Sequence, residues 1–263
     1  MHITPKKRLG QNFLVDKNMQ RKIISACGLQ VSESVLEIGA GRGEMTGLLA
    51  AGSKEVYALE IDHRLYALLG QKYKNASGLT ILHQDILQFD IARFCRAKAI
   101  TKLKVIGNIP YYITTPIIEH LLEHRSCIDT IFLTVQKEFG RRIASGPGTK
   151  DYGSFSCFVH YYAQPEILCV IPRTCFKPQP KVDSCFLKLT LRPQPRVQVK
   201  DEQYLFSVIR TAFNQRRKTL KNSLCDVIPA SIMDEFFNRY GINRSIRAEM
   251  LSLEDFAHLV GLQ

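Results

Sequence analysis

The feature that most constrains the fold is a glycine-rich junction between an apolar strand and a helical pattern. The segment "SVLEIGAG" (34–41) is typical of a buried strand, and "GEMTGLLAAG" (43–52) has the apolar spacing of a helix. Glycines at such a junction allow the tight turn with which open α/β sheets begin a nucleotide-like ligand site. The chain therefore has to build an α/β core around this strand.

Further strands alternate with helical patterns, which predicts an α/β fold with a Rossmann-like parallel sheet and helices on both faces. Residues 1–16 are expected to form an extended arm and 17–28 a helix. Later strands are predicted within "FVHYYAQPEILCVI" and "CFLKLTLRP". The remaining predicted strands are 55–62, 79–85, 104–111 and 129–136, and the helices between them include 63–74, "PIIEHLLEH" and "KEFGRRIAS".

The last part of the chain has only helical patterns, at 201–213, 215–226, 230–240 and 252–260. The proline-containing segment "RPQPRVQ" precedes it and is typical of a linker. The sequence thus predicts an α/β domain at 1–190 and a small all-helical domain at 200–263.

Composition excludes several classes of protein. No apolar run approaches eighteen residues and the N-terminus has no apolar core segment, so we expect neither a membrane span nor a signal peptide. The eight cysteines form no C-x-x-C pair. This pattern favours reduced thiols in a cytoplasmic protein, without a metal site or disulfide framework.

Positive charge is concentrated near both ends of the chain, whose net charge is +12. Residues 203–225 contain no acidic side chain. In the N-terminal basic region, Asp16 is the only acidic residue. Such clustering favours a nucleic-acid partner over a solvated surface. The basic residues are Lys6, Lys7, Arg8, Lys17, Arg21 and Lys22 in the first group, and Arg210, Arg216, Arg217, Lys218 and Lys221 in the second.

Three carboxylates lie near the ends of the first three predicted strands: Glu37, two residues before Gly39, then Glu60 and Asp85. A carboxylate at the position of Glu37 suits a cationic group or a hydroxyl more than a pyrophosphate. An acid at the end of the second strand can accept hydrogen bonds from ribose hydroxyls, and one at the third can accept an adenine amino group. The glycines Gly39, Gly41 and Gly43 are spaced G-x-G-x-G, unlike the G-x-G-x-x-G of dinucleotide sites. Singly each acid is most often a helix cap or surface residue, but together they favour S-adenosylmethionine, an adenosine with a positive sulfonium.

The fourth strand ends in Asn108-Ile109-Pro110-Tyr111. An adenine amino group is a poor nucleophile because its lone pair is delocalised into the ring. The Asn108 oxygen and the Ile109 carbonyl can hold its hydrogens, while Pro110 stiffens the loop and Tyr111 offers a stacking face. The alternative is a strand-to-helix turn with buried tyrosines. Phe176, before the prolines of "CFKPQPKVDS", either closes the other face of the base or is an ordinary core residue.

These residues resemble a known family. The motifs "KRLGQNFLVD", "EIGAGRGEMT", "LEID", "GNIPYYITTPII", "VQKEFGRRI", "FKPQPKVDS" and "AFNQRRKTLKNSL" occur in the order found in the bacterial small-subunit ribosomal RNA adenine N6-dimethyltransferases. The resemblance covers essentially the whole chain. This chain departs from the family pattern at Tyr112, where asparagine is more usual. The difference bears on how the following loop packs.

The resemblance implies dimethylation of two adjacent adenines in the 3′-terminal hairpin loop of 16S rRNA, within a late 30S precursor, by a monomeric enzyme. It also implies that the arm contacts the cofactor through Asn12 and Leu14, with Gly39, Glu60, Asp85 and Asn108 completing the shell. Two alternatives remain. One is the large-subunit rRNA methyltransferase of macrolide resistance, and the other is a non-catalytic assembly or transcription factor on the same scaffold.

Overall fold

The computed structural model describes residues 5–6, 9–215 and 217–262, so that Lys7, Arg8 and Arg216 of the basic segments lie outside the described residues. The strands are β1 Phe13–Leu14, β2 Ser34–Ile38, β3 Glu55–Glu60, β4 Leu79–His83, β5 Leu103–Asn108, β6 Ile128–Gln136, β7 Ala163–Ile171, β8 Phe176–Lys177 and β9 Ser184–Leu191. The helices are α1 Lys17–Ala26, α2 Thr46–Gly52, α3 His63–Lys72, α4 Ile91–Ala97, α5 Thr114–Glu123, α6 Lys137–Ala144, α7 Ser154–Tyr162, α8 Glu202–Asn214, α9 Leu220–Ser223, α10 Ala230–Tyr240 and α11 Leu253–Val260.

Seven strands form one sheet in the order β4-β3-β2-β5-β6-β9-β7. The five from β4 to β6 are parallel, as the alternation of strands and helices predicts. Strand β9 is antiparallel to β6, so the sheet is mixed and not wholly parallel. Because β2, β3 and β5 pair in parallel, the residues that follow them come together at one edge.

The strands are apolar because both of their faces are covered. All five residues of β2 are buried, and Leu36, Val105 and Ile131 are fully enclosed. Such unbroken burial is typical of a parallel sheet between two helical layers. At the β6–β9 pair, the rings of Phe132 and Phe186 stack with centroids 5.8 Å apart.

The chain divides into two compact units, each built from two segments. The first contains Met1–Gly140 and Glu166–Leu191, and the second contains Arg141–Pro165 and Arg192–Gln263. The domain limits predicted from the sequence, 1–190 and 200–263, differ from this division at residues 141–165. The sequence placed those residues with the sheet, whereas they cluster with the C-terminal helices.

Within the second unit, α8 packs against α7 and α11 through aromatic side chains. The Phe158 and Phe206 rings lie 5.3 Å apart, and those of Phe213 and Phe256 lie 6.1 Å apart. Two predictions were wrong here. The first part of "FVHYYAQPEILCVI" belongs to helix α7, because its apolar residues pack against α8. The helix predicted at 215–226 is reduced to the four-residue α9, since Thr219 caps a new helical start after a turn.

All eight cysteines are free thiols, and burial raises the pKa of the Cys27 thiol to about 12. Among the described residues, no helix is long and apolar enough to cross a membrane.

Truncation of Phe186 tests the packing of β9 on the sheet. Phe186 is fully buried against Phe132, so Phe186→Ala should lower the free energy of unfolding by about 3–5 kcal/mol. The control Val31→Ala, at a side chain that is 81% exposed, should change it by less than about 0.5 kcal/mol. Urea unfolding measures both, and a loss below about 1 kcal/mol for Phe186→Ala would contradict the packing.

Candidate functional site

One pocket lies at the edge of the sheet where β2, β3, β4 and β5 end. Its walls come from the loops that follow these strands and from the N-terminal arm, residues 9–13. The pocket lies entirely within the first unit. Its lining includes eight of the residues singled out from the sequence: Asn12, Gly39, Gly41, Glu60, Asp85, Asn108, Pro110 and Tyr111.

Leu14 and Phe176 lie elsewhere. Both are buried in the hydrophobic core of the first unit, where Phe176 is only 3% exposed. They are cross-strand partners in the antiparallel pair of β1 with β8. The structure therefore favours the core-residue interpretation of Phe176, and it places Leu14 as an anchor that ties the arm to β8.

The glycine loop has a backbone that only glycine adopts easily. Gly39 and Gly41 have φ of +72° and +62°, in the left-handed region. The amides of Gly39 and Ala40 both donate to the Leu59 carbonyl, at 2.9 and 3.1 Å. This ties the loop after β2 to the end of β3, beside Glu60.

Lys72, the last residue of α3, and Tyr73, directly after it, hold the far side of the glycine loop. Lys72 Nζ donates to the carbonyls of Arg42 and Gly43, each at 3.1 Å. The Tyr73 hydroxyl donates to the Gly43 carbonyl at 2.9 Å. A Cβ at Gly43 would lie 2.8 Å from Leu69 and Tyr73 side-chain atoms, so this position has no room for a side chain.

Glu60 organises the backbone around the pocket. Its Oε2 accepts the Gly41 amide and its Oε1 accepts the Asp62 amide, both at 2.8 Å. Burial raises the pKa of the Glu60 carboxyl, and these amide hydrogen bonds offset part of the rise. The side chain therefore both fixes the glycine loop and presents a carboxylate to the pocket.

Asp62 connects the arm to the start of α3. It accepts hydrogen bonds from Lys6 Nζ at 3.0 Å and from the guanidinium of Arg64 at 3.0 Å. Burial alone would raise the pKa of Asp62, but the bonds from Arg64 and Lys6 outweigh it and hold the pKa well below its ordinary value. A second arm contact places Phe13 under the Arg42 guanidinium, whose carbon lies 4.4 Å from the ring centroid.

The orientation of Asn108 is set by the arm. Its Nδ2 donates to the Asn12 carbonyl at 2.9 Å. An amide has two donor hydrogens on nitrogen and an acceptor oxygen, so this contact assigns the nitrogen and turns Oδ1 to a different side. On the adjacent turn, the hydroxyl of Tyr111 lies 2.6 Å from Ser184 Oγ, which fixes the tyrosine ring.

Glu37 is buried behind the glycine loop and is not among the described pocket-lining residues. Its Oε2 has no hydrogen-bond partner in the described part of the chain, and nor does the Thr46 hydroxyl. Burial raises the pKa of Glu37 to about 7. The carboxylates of Glu44 and Glu60 add to the rise, and the charge of Lys72 opposes it. The suggestion that Glu37 meets a cationic ligand directly is therefore not what this geometry favours.

The remaining pocket chemistry suits a nucleoside with a positive charge. Apolar walls formed by Ile38, Leu59, Ile61 and Ile86 can enclose a purine, and the carboxylates of Glu60 and Asp85 can accept from hydroxyl or amino groups. In the described lining there is no lysine or arginine to neutralise a phosphate. Asp85 also accepts the Leu87 amide at 3.0 Å, which fixes its rotamer.

Several contacts were not foreseen from the sequence. The role of the arm was one, because Lys6, Gln11 and Phe13 reach their partners only after the chain has folded. Ser184 was another. Its only signal was its place at the end of "FKPQPKVDS", where it is the first residue of β9.

The predicted RNA-contacting residues lie in the second unit. Arg210, Arg217 and Lys218 are exposed, and Arg217 and Lys218 border a shallow depression with Phe213. Lys221 differs, since its Nζ pairs with Asp234 at 3.1 Å. Asp234 also binds Arg244 at 2.8 Å, so the charge of Lys221 is partly neutralised.

Comparisons with known proteins converge on one family. The sequence pattern of the ribosomal RNA adenine dimethylases matches residues 3–262. "Ribosomal RNA small subunit methyltransferase A" of Lachnoclostridium phytofermentans is 44% identical, over 97% of this chain and 90% of that protein. The protein of that name from Geobacillus thermodenitrificans is 41% identical, over 97% of this chain and 89% of its own length.

Solved structures agree with the fold. A dimethyladenosine transferase from Plasmodium falciparum aligns with a TM-score of 0.78 and 25% identity, over 94% of this chain and 95% of that one. The 23S rRNA methyltransferase ErmE aligns with a TM-score of 0.76 at 24% identity, over 95% and 99%. The likeness to the 23S rRNA methyltransferase shows a similarity of fold alone.

Glu37 should give the protein a measurable pH dependence of stability. The Glu37 carboxyl has a pKa of about 7 in the folded protein and its ordinary pKa of 4.5 in the unfolded chain. Between these two pH values the folded protein keeps a proton that the unfolded chain releases. Stability from this group is therefore complete below pH 4.5 and is lost as pH rises to about 7. Because Glu37→Gln removes the titration, the variant should gain about 3 kcal/mol relative to the parent between pH 4.5 and pH 8.

Urea unfolding at several pH values measures this difference, and any pH-independent cost of the amide cancels. The exposed carboxyl of Glu123 supplies the control Glu123→Gln. A difference between parent and Glu37→Gln that stays constant with pH would show that Glu37 ionises normally.

Proposed function

Because this chain belongs to the ribosomal RNA adenine dimethylase family, we propose that it dimethylates N6 of two adjacent adenines in the 3′-terminal hairpin loop of 16S rRNA. Family membership makes it an rRNA adenine dimethyltransferase. The position in the RNA and a late small-subunit particle as substrate are the finer parts of the proposal. The observation that carries it is the orientation of Asn108 by the arm, which leaves an acceptor oxygen at the end of β5.

S-adenosylmethionine is the cofactor in this proposal, and it supplies an electrophilic methyl group when bound. Gly39 and Gly41 provide the close backbone approach, Glu60 accepts the ribose hydroxyls and Asp85 accepts the adenine amino group. Asn12 closes the site from the arm. Leu14, as the core partner of Phe176, supports the arm from behind.

The loop after β5 prepares the target amine. Asn108 Oδ1 and the Ile109 carbonyl accept its two hydrogens, so that the nitrogen lone pair becomes available for attack. Pro110 has φ of −62° and holds the carbonyl direction, and Tyr111, fixed by Ser184, stacks on the base. The methylated amine carries a positive charge, is acidic and loses a proton to water, and S-adenosylhomocysteine would remain as the second product. In-line positioning provides the main rate advantage.

A base reaches such a pocket only when it leaves its stack or already lies in a loop. Exposed Arg210, Arg217 and Lys218, with Arg216 and Lys221 in the same segment, supply the electrostatic attraction to RNA in the second unit. We further propose that the protein acts as a monomer in the cytoplasm.

The main rival is a methyltransferase of the large-subunit rRNA. The curated relatives above carry small-subunit names at 41–44% identity. The likeness to the 23S rRNA methyltransferase, at 24% identity, is confined to the fold. These observations favour the small subunit.

The direct test is methyl transfer from radiolabelled S-adenosylmethionine to 30S subunits that lack the modification, beside naked 16S and 23S rRNA. We expect label as N6,N6-dimethyladenosine at two adjacent adenines of the 30S subunit. Asn108→Ala should reduce transfer at least about 100-fold, because it removes an acceptor on the reacting nitrogen. Asn108→Ala should keep the thermal midpoint of the parent within a few degrees.

Label on 23S rRNA alone would reassign the protein to the large-subunit group. Absence of label on every RNA, with RNA binding retained, would indicate an assembly factor on a methyltransferase scaffold. Full turnover by Asn108→Ala would refute the acceptor role of that side chain.

The basic segment can be tested through the salt dependence of binding. Each phosphate contact contributes about 0.7–0.9 to the slope of log affinity against log salt. The double variant Arg217→Ala/Lys218→Ala should therefore flatten the slope by about 1.4–1.8 and weaken binding to the 30S subunit. Filter binding at several salt concentrations measures this.

A matched control removes two exposed lysines of the first unit, Lys54→Ala/Lys74→Ala. It has the same change in net charge, so a purely global effect would flatten both slopes equally. An unchanged slope for Arg217→Ala/Lys218→Ala would exclude this segment as an RNA contact.

A further inference from the structure

Tyr112 is an aromatic side chain at the pocket with no part in the chemistry proposed so far. It lines the same pocket as Asn108 and Tyr111, yet 63% of it is exposed. Exposed large apolar side chains are common singly, but an aromatic ring at the mouth of a nucleotide-sized pocket is a candidate binding surface.

The two consecutive tyrosines have opposite surroundings because of the local backbone. Tyr111–Ile113 is a 3-10 turn, in which successive side chains point about 120° apart. Tyr111 is turned inward and is held by the fully buried Ser184, at 2.6 Å between the oxygens. Tyr112 is thereby turned outward.

The ring of Tyr112 is supported from one side by the arm. A Cβ at Gly10 would lie 3.1 Å from Tyr112 Cε1 and 3.2 Å from its Cδ1, so the ring covers the α-carbon of this glycine. Gly10 also has φ of +58°, which few other residues adopt. The ring is therefore seated against backbone, and the remainder of it is open to solvent.

We propose that Tyr112 stacks on the adenine adjacent to the one whose amine lies at Asn108. This inference rests on the proposed function, in which two neighbouring adenines are modified in turn. In the proposed function Tyr111 lies against the target base, and the ring of Tyr112 lines the same pocket and is the exposed aromatic surface beside that base. A flat, sequence-tolerant stacking surface suits a neighbour that is unmodified in one step and methylated in another.

Base–aromatic stacking predicts the size of the effect. Tyr112→Ala should raise the KM for the 30S subunit about 5- to 100-fold, with the dissociation constant for S-adenosylmethionine unchanged. Tyr112→Phe, which keeps the ring, should restore the KM. Tyr112→Leu, which keeps apolar bulk without a π face, should not.

A double-mutant cycle tests the pairing itself. A synthetic 3′ segment with an abasic nucleotide in place of either adenine is ligated to 16S rRNA and reconstituted into 30S subunits. For one of the two positions, the abasic nucleotide should raise the parent KM as much as Tyr112→Ala does. Tyr112→Ala should then show no further increase on that subunit.

The outcomes separate this inference from the proposed function. If the parent protein transfers no methyl group to intact 30S subunits, the proposed function fails. If the parent is active but Tyr112→Ala has a KM within twofold, or its effect multiplies with that of both abasic substitutions, only the stacking role fails. The second of these results would indicate a contact with another part of the particle. Val31→Ala, at an exposed site on the turn after α1, serves as the control for surface truncation.

Discussion

The parallel pairing of β2 with β3 on one side and β5 on the other is the constraint on which the site depends. Ile38 is aligned with Leu59 of β3 and with Gly107 of β5, so the three strands end at the same level. Gly39, Glu60 and Asn108 then follow at one edge, although the first and last are far apart in the chain. The local glycine turn is useful only because this register places the carboxylate and the amide beside it.

A second layer of organisation comes from the arm. Its residues approach the pocket at three points, through Lys6 to Asp62, Phe13 to Arg42 and the Asn12 carbonyl to Asn108. The arm thus combines charge, aromatic contact and a main-chain acceptor. Because the Asn108 amide nitrogen is held by backbone, its oxygen is oriented before any substrate arrives. Such preorganisation is what makes a polar group effective in a reaction.

The sequence predicted the sheet and most of the pocket because their signals are local. Gly39 and Gly41 are needed for a left-handed turn, and Glu60, Asp85 and Asn108 each follow an apolar strand, so their convergence could be inferred from topology. Asp62 could not be interpreted in this way, since its partner Lys6 lies in a segment without periodicity. The predicted helix at 215–226 failed for a related reason: a cap at Thr219 overrode a favourable helical composition.

The roles of Leu14 and Phe176 illustrate the same limit. Both occur in recognisable motifs, but burial against each other in a two-residue strand pair cannot be seen in either motif alone. The carboxylate of Glu37 is similar, because only the packing around it decides whether it faces a ligand or lies behind the loop. Sequence patterns therefore indicated the residues of the candidate pocket but did not separate those that line it from those buried behind it.

The two-segment construction of the second unit has a consequence for how the gene for such a protein can change. Helix α7 comes from residues 141–165, while the helices that pack against it follow residue 192. During its own synthesis the chain makes α7 before the intervening strands and the C-terminal helices. Helix α7 therefore cannot pack against its partners until those later segments have been made. A tail of 200–263 moved onto another protein would leave its own packing partner behind. The helical unit is therefore not a portable module, and recombination within this chain would have to exchange both segments together.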